Sequence, residues 1–132
     1  MIFLVDSNVI LDVATADPEW RVWSLEAMAA CGTRGSLAIN PIIYAELSAG
    51  FATIEALAQA LPARFRRLGL PWDAAFLAGK AFLEYRRRGG DRRSPLPDFY
   101  IGAHAAVGGF TLLTRDAARY RTYFPRLSII AP

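Results

Sequence analysis

Four acidic side chains occupy positions from which they could bind one divalent metal ion. They come from four separate segments of the chain: Asp6, Glu46, Asp98 and Asp116. Asp6 ends an apolar run, and Asp116 follows a second apolar run by two residues. Polar residues that follow the strands of a parallel sheet meet at one edge of it, where ligands bind in open α/β folds. The spacing therefore allows the four carboxylates to converge in one pocket.

Taken singly, each acid also has an ordinary structural explanation. Asp6, with Ser7 and Asn8, could cap a helix, and the other two aspartates could complement helix N-termini, each contribution being worth about 0.3 to 1 kcal/mol. Glu46 differs because apolar or small residues surround it in sequence, and a glutamate in such a segment is seldom buried without a partner. No lysine or arginine occurs between residues 37 and 51. Its partner would therefore be a distant arginine or a bound metal ion.

Convergence of the four carboxylates would define the chemistry of the pocket. Mutual repulsion raises the pKa of some of them and destabilises the empty site unless a cation neutralises it. Hard oxygen ligands favour Mg²⁺ or Mn²⁺, and Mg²⁺ leaves coordination positions for water and a substrate phosphate. In such sites a metal-activated water attacks phosphorus, and two metal ions would lie about 3.5 to 4 Å apart. The pattern indicates a nuclease-like site in which Ser7, Asn8 and Thr114 could orient ligands or water.

Length and composition limit the class of protein. A chain of 132 residues with 54% hydrophobic and 20% charged residues predicts one globular domain, residues 1–132, with a genuine core. The single cysteine, Cys31, cannot form an intramolecular disulfide, and with one histidine, His104, it cannot build a zinc site of the usual kind. The sequence lacks an apolar span of about 20 residues and the basic start of a signal peptide. We therefore expect a cytoplasmic protein with no membrane partner.

Apolar runs and turn signals predict alternating strands and helices. Strands are expected at residues 2–5, 37–39, 110–114 and 127–130, with an edge strand at 64–70 whose arginines face outward. Helices are expected from the N-cap and proline pairs at 17–18 and 40–41, after Pro71, and over 97–107. This alternation predicts an α/β fold, a three-layer α/β/α sandwich around a mainly parallel central sheet.

The expected helices carry apolar faces rich in tryptophan. One face is predicted to contain Trp20, Trp23, Ala27 and Ala30, and another Trp72, Phe76 and Leu83. The tryptophans are interpreted as core or dimer-interface residues rather than as platforms for stacked bases. His104 lies six positions from Asp98, about 240° around a helix. It is therefore interpreted as a packing residue rather than a ligand.

The basic residues are a second candidate for function. The formal net charge is +3, and every basic residue except Lys80 is arginine, which donates paired hydrogen bonds to phosphate oxygens. A GC-rich genome would produce the same bias. Five arginines form one cluster: Arg86, Arg87, Arg88, Arg92 and Arg93. The cluster could track an RNA backbone, or it could be a solvated helix end that complements the helix dipole.

Four segments of the sequence resemble the PIN-domain ribonucleases, and within them the VapC-type toxins of type II toxin–antitoxin pairs. The segments are FLVDSNVILD from Phe3, NPIIYAELSAGF from Asn40, PDFYIGAHA from Pro97 and TLLTRDAARYRTYFP from Thr111. They span nearly the whole chain in the family's order and at its usual separations. The resemblance implies a PIN-like fold. It also implies a catalytic, metal-binding quartet of Asp6, Glu46, Asp98 and Asp116, with Asp6 and Asp98 as direct Mg²⁺ ligands.

The resemblance carries further expectations about activity and partners. It implies a Mg²⁺-dependent endoribonuclease, with Mn²⁺ as the alternative ion, that hydrolyses single-stranded or looped RNA and inhibits translation. It implies a homodimer, a cognate VapB-like antitoxin, and contact with operator DNA only through the antitoxin complex. An acidic pocket makes neutralisation by a basic residue of the antitoxin electrostatically reasonable.

Two other functions are compatible with parts of the sequence. A catalytically silent PIN-like domain could act as a binding or assembly module through its arginines and aromatic residues. A phosphatase of the haloacid dehalogenase type also places an aspartate after its first strand, but that chemistry needs a second aspartate two residues later. Asn8 occupies that position, and Lys80 lies in a predicted helix rather than after a later strand.

Overall fold

A five-stranded parallel sheet forms the centre of the fold in a computed structural model that describes all residues, 1–132. The strands in chain order are β1 (Ile2–Val5), β2 (Ser36–Ile39), β3 (Arg66–Arg67), β4 (Thr111–Leu113) and β5 (Ile129–Ile130). Their spatial order is β3-β2-β1-β4-β5, and every neighbouring pair is parallel. The carboxyl ends of all five strands therefore share one edge of the sheet, which we call the carboxyl edge.

Seven helices connect the strands. They are α1 (Ser7–Ala14), α2 (Arg21–Arg34), α3 (Pro41–Ser48), α4 (Ile54–Ala60), α5 (Trp72–Arg87), α6 (Pro97–Gly108) and α7 (Ala118–Tyr123). None of them combines the length and the apolar character that crossing a membrane would require.

The central strands are covered on both faces. Successive residues of a strand point to opposite faces of the sheet, and Phe3, Leu4 and Val5 of β1 are all fully buried. Leu112 and Leu113 of β4 are fully buried as well. Helices must therefore pack on both sides of the sheet, which confirms the predicted α/β/α arrangement with a parallel centre.

Several local signals place the elements as predicted. The side chain of Asn40 accepts a hydrogen bond from the backbone N–H of Ile43 at 2.9 Å, with Pro41 in the first turn of α3. Gly109 ends α6 with φ of 68°, a left-handed conformation that glycine adopts without strain. The expected strand at 64–70 is confirmed only as the short edge strand β3, whose two arginines are exposed.

The predicted face of the second helix is only partly right, because Trp23 and Ala27 pack against the core but Ala30 is exposed. Asp17 accepts hydrogen bonds from the N–H groups of Glu19 and Trp20, but this forms a separate turn, and α2 begins at Arg21. The residues that α2 buries are Ser24, Met28 and Cys31. The hydroxyl of Ser24 is satisfied by a hydrogen bond to Asp12 of α1, so a polar residue can occupy the buried face.

The predicted apolar face of α5 is wrong. Trp72 is 90% exposed and Phe76 is 70% exposed. The helix instead buries Ala74, Ala78 and Ala81. Small side chains at this spacing let α5 pack closely against α6, and the larger residues are left on the opposite face.

Candidate active site

Asp6 lies at the centre of a polar cluster on the carboxyl edge. It directly follows β1, is 5% exposed, and accepts a hydrogen bond from the N–H of Ser7 through Oδ1 at 2.8 Å. Its Oδ2 accepts hydrogen bonds from the hydroxyls of Thr114 at 2.8 Å and Tyr120 at 2.9 Å. Burial raises the pKa of Asp6, while the hydroxyl donors lower it and the charge of Asp98 raises it further. Charging this carboxyl is therefore unfavourable without a nearby cation.

Glu46 approaches Asp6 from the helix that follows β2. The hydroxyl of Ser7 donates to its Oε1 at 3.1 Å. Burial is the largest cause of its raised pKa, and the charges of Asp6 and then Asp98 add to it. No arginine or lysine forms an ion pair with Glu46. Of the two partners expected from the sequence, the distant arginine is not found.

Asp98 lies in the first turn of α6 and is joined to Asp6 by a tyrosine. The hydroxyl of Tyr120 is 3.3 Å from Oδ1 of Asp98, and Arg119 donates to Oδ2 of Asp98, also at 3.3 Å. Burial raises the pKa of Tyr120 well above its usual value, with the charges of Asp6 and Asp98 adding to the effect. Tyr120 therefore stays protonated and serves as a donor between the two carboxylates.

Asp116 is the most exposed of the four acids and lies beyond Thr114. Its side chain is exposed, and its backbone N–H donates to the hydroxyl of Thr114 at 3.2 Å. Asp98 and Asp116 line the same groove, of about 400 Å³, together with Tyr85 and Tyr123. Asp116 thus shares this groove with Asp98, and the Thr114 hydroxyl lies between its backbone and Asp6.

Asp6, Glu46 and Asp98, the inner group of acids, are each held by hydrogen bonds within the protein. No three acidic, histidine or cysteine side chains converge on one point. Each acid of the inner group is held by its own partner instead: Ser7 for Glu46, Thr114 for Asp6 and Arg119 for Asp98. The donors are all oxygen atoms, and burial and repulsion raise the pKa of Asp6 and Glu46. This donor set fits a hard divalent cation, and the metal-ligand role of the four acids stays a prediction.

The three residues expected to support the acids occupy positions around them. Ser7 and Thr114 are both buried and donate to Glu46 and Asp6, as described above. Asn8 accepts a hydrogen bond from the backbone N–H of Arg115 at 3.1 Å, and its amide is 3.5 Å from the Thr114 hydroxyl. Asn8 therefore joins α1 to the segment that carries Asp116.

Sequence reasoning missed a buried ion pair beside this cluster. Asp12 is 2% exposed, and Arg115 donates to its two oxygens at 2.8 Å and 2.9 Å. Ser24 donates to the same carboxylate at 2.7 Å. The Arg115 guanidinium also lies 5.5 Å from the ring centre of Trp20. The signal was an aspartate within an apolar helical segment, the same pattern that singled out Glu46.

His104 lies in the core, as interpreted from the sequence. It is 2% exposed, and its ring is 5.5 Å from that of Phe110. The Asn40 carbonyl oxygen is engaged by Ile43, so the Asn40 amide N–H₂ donates to Nδ1 of His104, 3.1 Å away. Burial lowers the pKa of His104. A neutral imidazole with its proton on Nε2 follows from this geometry.

The arginine cluster forms an exposed rim beside the groove. Its five members, Arg86, Arg87, Arg88, Arg92 and Arg93, are all exposed. Arg88 pairs with Glu84 at 3.0 Å and lies 5.6 Å from the ring centre of Tyr123, which lines the groove with Asp98. Arg88 is thus adjacent to the groove that Asp98 lines, and the role of the cluster in RNA binding stays a prediction.

Solved structures of toxin–antitoxin proteins share this fold. The chain is similar to VapBC2 from Rickettsia felis bound to a DNA fragment from their promoter, with 22% identity, a TM-score of 0.75, and coverage of 100% of this chain and 99% of that chain. It is similar to VapBC-1 from nontypeable Haemophilus influenzae, with 20% identity, a TM-score of 0.74, and coverage of 99% and 98%. It is also similar to VapC20 of Mycobacterium tuberculosis, described as a sarcin-ricin loop cleaving toxin, with 14% identity, a TM-score of 0.62, and coverage of 91% and 94%.

Sequence comparison identifies the family. No curated protein matches the chain at a significant level. The family model of the PIN domain, in contrast, matches residues 3–125, which include all four acids and nearly all of the sheet. This chain belongs to the PIN-domain family.

Proposed function

We propose that this protein is a metal-dependent endoribonuclease that hydrolyses RNA phosphodiester bonds, acting as the toxin of a type II toxin–antitoxin pair that inhibits translation. The observation that carries the proposal is the grouping of Asp6, Glu46 and Asp98 at the carboxyl edge of a PIN fold, with raised pKa values for Asp6 and Glu46. The likeness to a toxin described as cleaving the sarcin-ricin loop supports RNA as the substrate. Such an enzyme would act in the cytoplasm, where translation takes place.

Magnesium, or manganese in its place, is the cofactor that this donor set suits. Asp6 and Asp98 would hold the ion directly, with Glu46 and Asp116 completing the acidic set. When bound, such an ion lowers the pKa of a water molecule and stabilises negative charge on the phosphate and the leaving oxygen.

The chain's own residues prepare this chemistry by fixing the acids. The Thr114 hydroxyl and the Ser7 N–H hold the two oxygens of Asp6, and the Ser7 hydroxyl orients Glu46. Arg119 is partly exposed beside Asp98 and is placed to contact a substrate phosphate once a cation takes over Asp98. The arginine cluster on the groove rim would add contacts to the RNA backbone that do not depend on sequence.

The proposed partners follow from the neighbouring complexes. VapBC assemblies, one of them bound to promoter DNA, support a VapB-like antitoxin and contact with operator DNA through the antitoxin complex. The acidic groove offers a site for a basic antitoxin residue. We also propose a homodimer, for which the exposed apolar face of α5 supplies a surface.

Cleavage of total cellular RNA by purified protein tests the proposed activity. We expect discrete cuts with Mg²⁺ that vanish with EDTA and with the Asp6→Ala or Asp98→Asn substitution, mapped by end sequencing. Asp73→Asn is the matched control, because Asp73 is an exposed aspartate in the first turn of another helix. Folded, antitoxin-free wild-type protein that cuts no RNA would contradict the proposal.

A catalytically silent binding module is the second candidate function. The exposed arginine cluster and the exposed aromatic residues of α5 favour it, because both could bind a partner without cleavage. Thermal melting separates the two, since a ligand that binds only the folded state raises the melting temperature. If the site is active, Mg²⁺ or Mn²⁺ should raise the melting temperature of the protein, and Asp98→Asn should abolish this rise. The haloacid dehalogenase alternative is not proposed, because the family match is to the PIN domain and Asn8 supplies no second carboxylate.

A further inference from the structure

A second cavity opens on the carboxyl edge, on the other side of α3 from Glu46. Its volume is about 290 Å³, near the lower end of the range for small-molecule sites. Its lining comes from the last residues of β2 and β3 and from the start of α3. Tyr44, in this lining, lies two positions before Glu46 on α3, which is about 200° around the helix. The cavity and the acids therefore occupy opposite flanks of the same half of α3.

The walls of the cavity are flat and largely apolar. Ile39, Pro41 and Leu68 contribute apolar surface. The Arg67 guanidinium lies 5.2 Å from the ring centre of Tyr44, so a planar cation is already stacked on an aromatic ring. Aromatic rings and guanidinium planes are the groups on which proteins stack the bases of single-stranded nucleic acid.

The charge around the cavity is positive. Arg67 lines the cavity, is exposed and forms no ion pair. No acidic residue lines the cavity. The cavity therefore offers one unpaired guanidinium group next to an apolar surface, which complements a nucleotide with its base in the cavity and its phosphate outside.

We propose that this cavity binds a nucleotide of the RNA substrate next to the scissile phosphate. The base stacks against the Tyr44–Arg67 pair, and the edge of the Arg67 guanidinium contacts the adjoining phosphate. An RNA strand whose scissile phosphate lies at the acids would pass over the start of α3 and place a neighbouring nucleotide over the cavity. The inference rests on the proposed ribonuclease function and adds to it a subsite that selects the flanking base.

Binding of labelled oligo(U) and oligo(A), followed by fluorescence anisotropy in EDTA, tests the subsite without cleavage. Tyr44→Ala should weaken binding about tenfold, as expected for loss of one stacked base, and Tyr44→Phe should bind like wild type. Arg67→Ala should weaken binding and reduce the slope of log Kd against log salt by about 0.7, the value for one single-strand phosphate. Arg34→Ala is the matched control, because Arg34 also stacks on a ring, that of Phe3, but precedes β2 at the opposite edge of the sheet.

The possible results separate the subsite from the proposed function. If wild type cleaves RNA while Tyr44→Ala and Arg67→Ala bind and cleave like wild type, the subsite is wrong, and the stacked pair is left for a protein partner. If wild type cleaves no RNA but Tyr44→Ala still weakens oligonucleotide binding, the ribonuclease proposal fails, and the cavity binds a nucleotide but is not a substrate subsite. Circular dichroism checks that each variant folds. Should Tyr44→Ala not fold, photocross-linking of 4-thiouridine RNA to wild type decides, and absence of the cross-link at Tyr44 would overturn the subsite.

Discussion

At the residue scale, the acids of this site are held in a state that favours a proton or a cation. Asp6 and Glu46 have raised pKa values, so the folded protein binds more protons than the unfolded chain between their unfolded values near 4 and their raised values. The free energy of unfolding in EDTA must therefore fall as the pH rises through that window. A bound divalent ion would reverse this loss.

Neutralising Asp6 should stabilise the metal-free protein. Asn keeps an oxygen acceptor for the Ser7 N–H, and the hydroxyls of Thr114 and Tyr120 can rotate to accept from its amide. In EDTA at pH 7 we expect Asp6→Asn to raise the free energy of unfolding by about 1 kcal/mol and the melting temperature by about 4 °C. The pH dependence of the free energy of unfolding should become flatter. Mg²⁺ should no longer stabilise the variant. A lower melting temperature than wild type in EDTA would show that the Asp6 charge does not destabilise the fold.

Tyr120 was not among the residues predicted from the sequence, and the reason is physical. Asp6, Glu46 and Asp98 were predictable because strand ends and helix starts bring charged residues to one edge. A tyrosine within the segment RYRTYF has an apolar ring that accounts for its burial, and only the structure shows that its hydroxyl lies between two carboxylates. Contacts of this kind depend on the rotation of α7 about its axis, which residue type does not determine.

Tyr120→Phe should weaken metal binding while leaving the fold intact. The ring remains in the core, and Asp6 keeps the Thr114 donor, but Asp6 and Asp98 lose the hydroxyl that orients both. Loss of a group that orients metal ligands costs about tenfold to a hundredfold in affinity, and we expect about tenfold for Mn²⁺ by titration calorimetry. Tyr123→Phe is the control, because the Tyr123 hydroxyl contacts neither acid. Equal Mn²⁺ affinity of wild type and Tyr120→Phe would rule out an orienting role.

At the scale of elements, a buried ion pair joins three segments around the site. Asp12 belongs to α1, Ser24 to α2, and Arg115 to the connection between β4 and α7 that also carries Asp116. The pair is more than a surface salt bridge because Asp12 is 2% exposed and receives three side-chain hydrogen bonds. It therefore fixes the connection that presents Asp116 to the groove.

Removing Arg115 should lower the free energy of unfolding substantially. Arg115→Ala leaves the Asp12 carboxylate buried without its cation, which typically costs about 3 kcal/mol or more, to be measured by urea denaturation. The double variant Asp12→Asn with Arg115→Met should recover much of this loss, because no buried charge remains. Arg119→Ala, which removes a more exposed pair with Asp98, should cost under about 1 kcal/mol. If Arg115→Ala lowers the free energy of unfolding no more than Arg119→Ala does, the Asp12–Arg115 pair is as weak as a surface salt bridge.

Element starts and stops were easier to predict than helix faces. Asn40 with Pro41, and Gly108 with Gly109, act through local backbone chemistry, and the structure places α3 and the end of α6 where these residues require. The face of α5 was predicted wrongly and that of α2 only partly correctly, because large apolar residues were assumed to point inward. In α5 the alanines pack against α6, and the close approach of two helices, a tertiary property, decides which side is buried.

At the scale of the whole molecule, the face of α5 that was expected in the core is exposed to solvent. Trp72 is 90%, Phe76 70% and Leu83 44% exposed. They lie within about 40° of one another around α5. A contiguous exposed apolar stripe often marks an interaction surface, and the interpretation of Trp72 as a dimer-interface residue stays a prediction.

We expect the proposed homodimer to form through this α5 stripe. Replacing both Trp72 and Phe76 by serine removes two exposed apolar side chains that contribute nothing to the core, so the monomer should fold with unchanged stability. The Kd of the dimer should rise at least tenfold, because buried aromatic residues dominate the energy of most interfaces. Analytical ultracentrifugation measures the association, and Val22→Ser, at a 60% exposed site on α2, is the matched control. A serine variant that dimerises like wild type would move the dimer interface to another face and leave the stripe for the antitoxin.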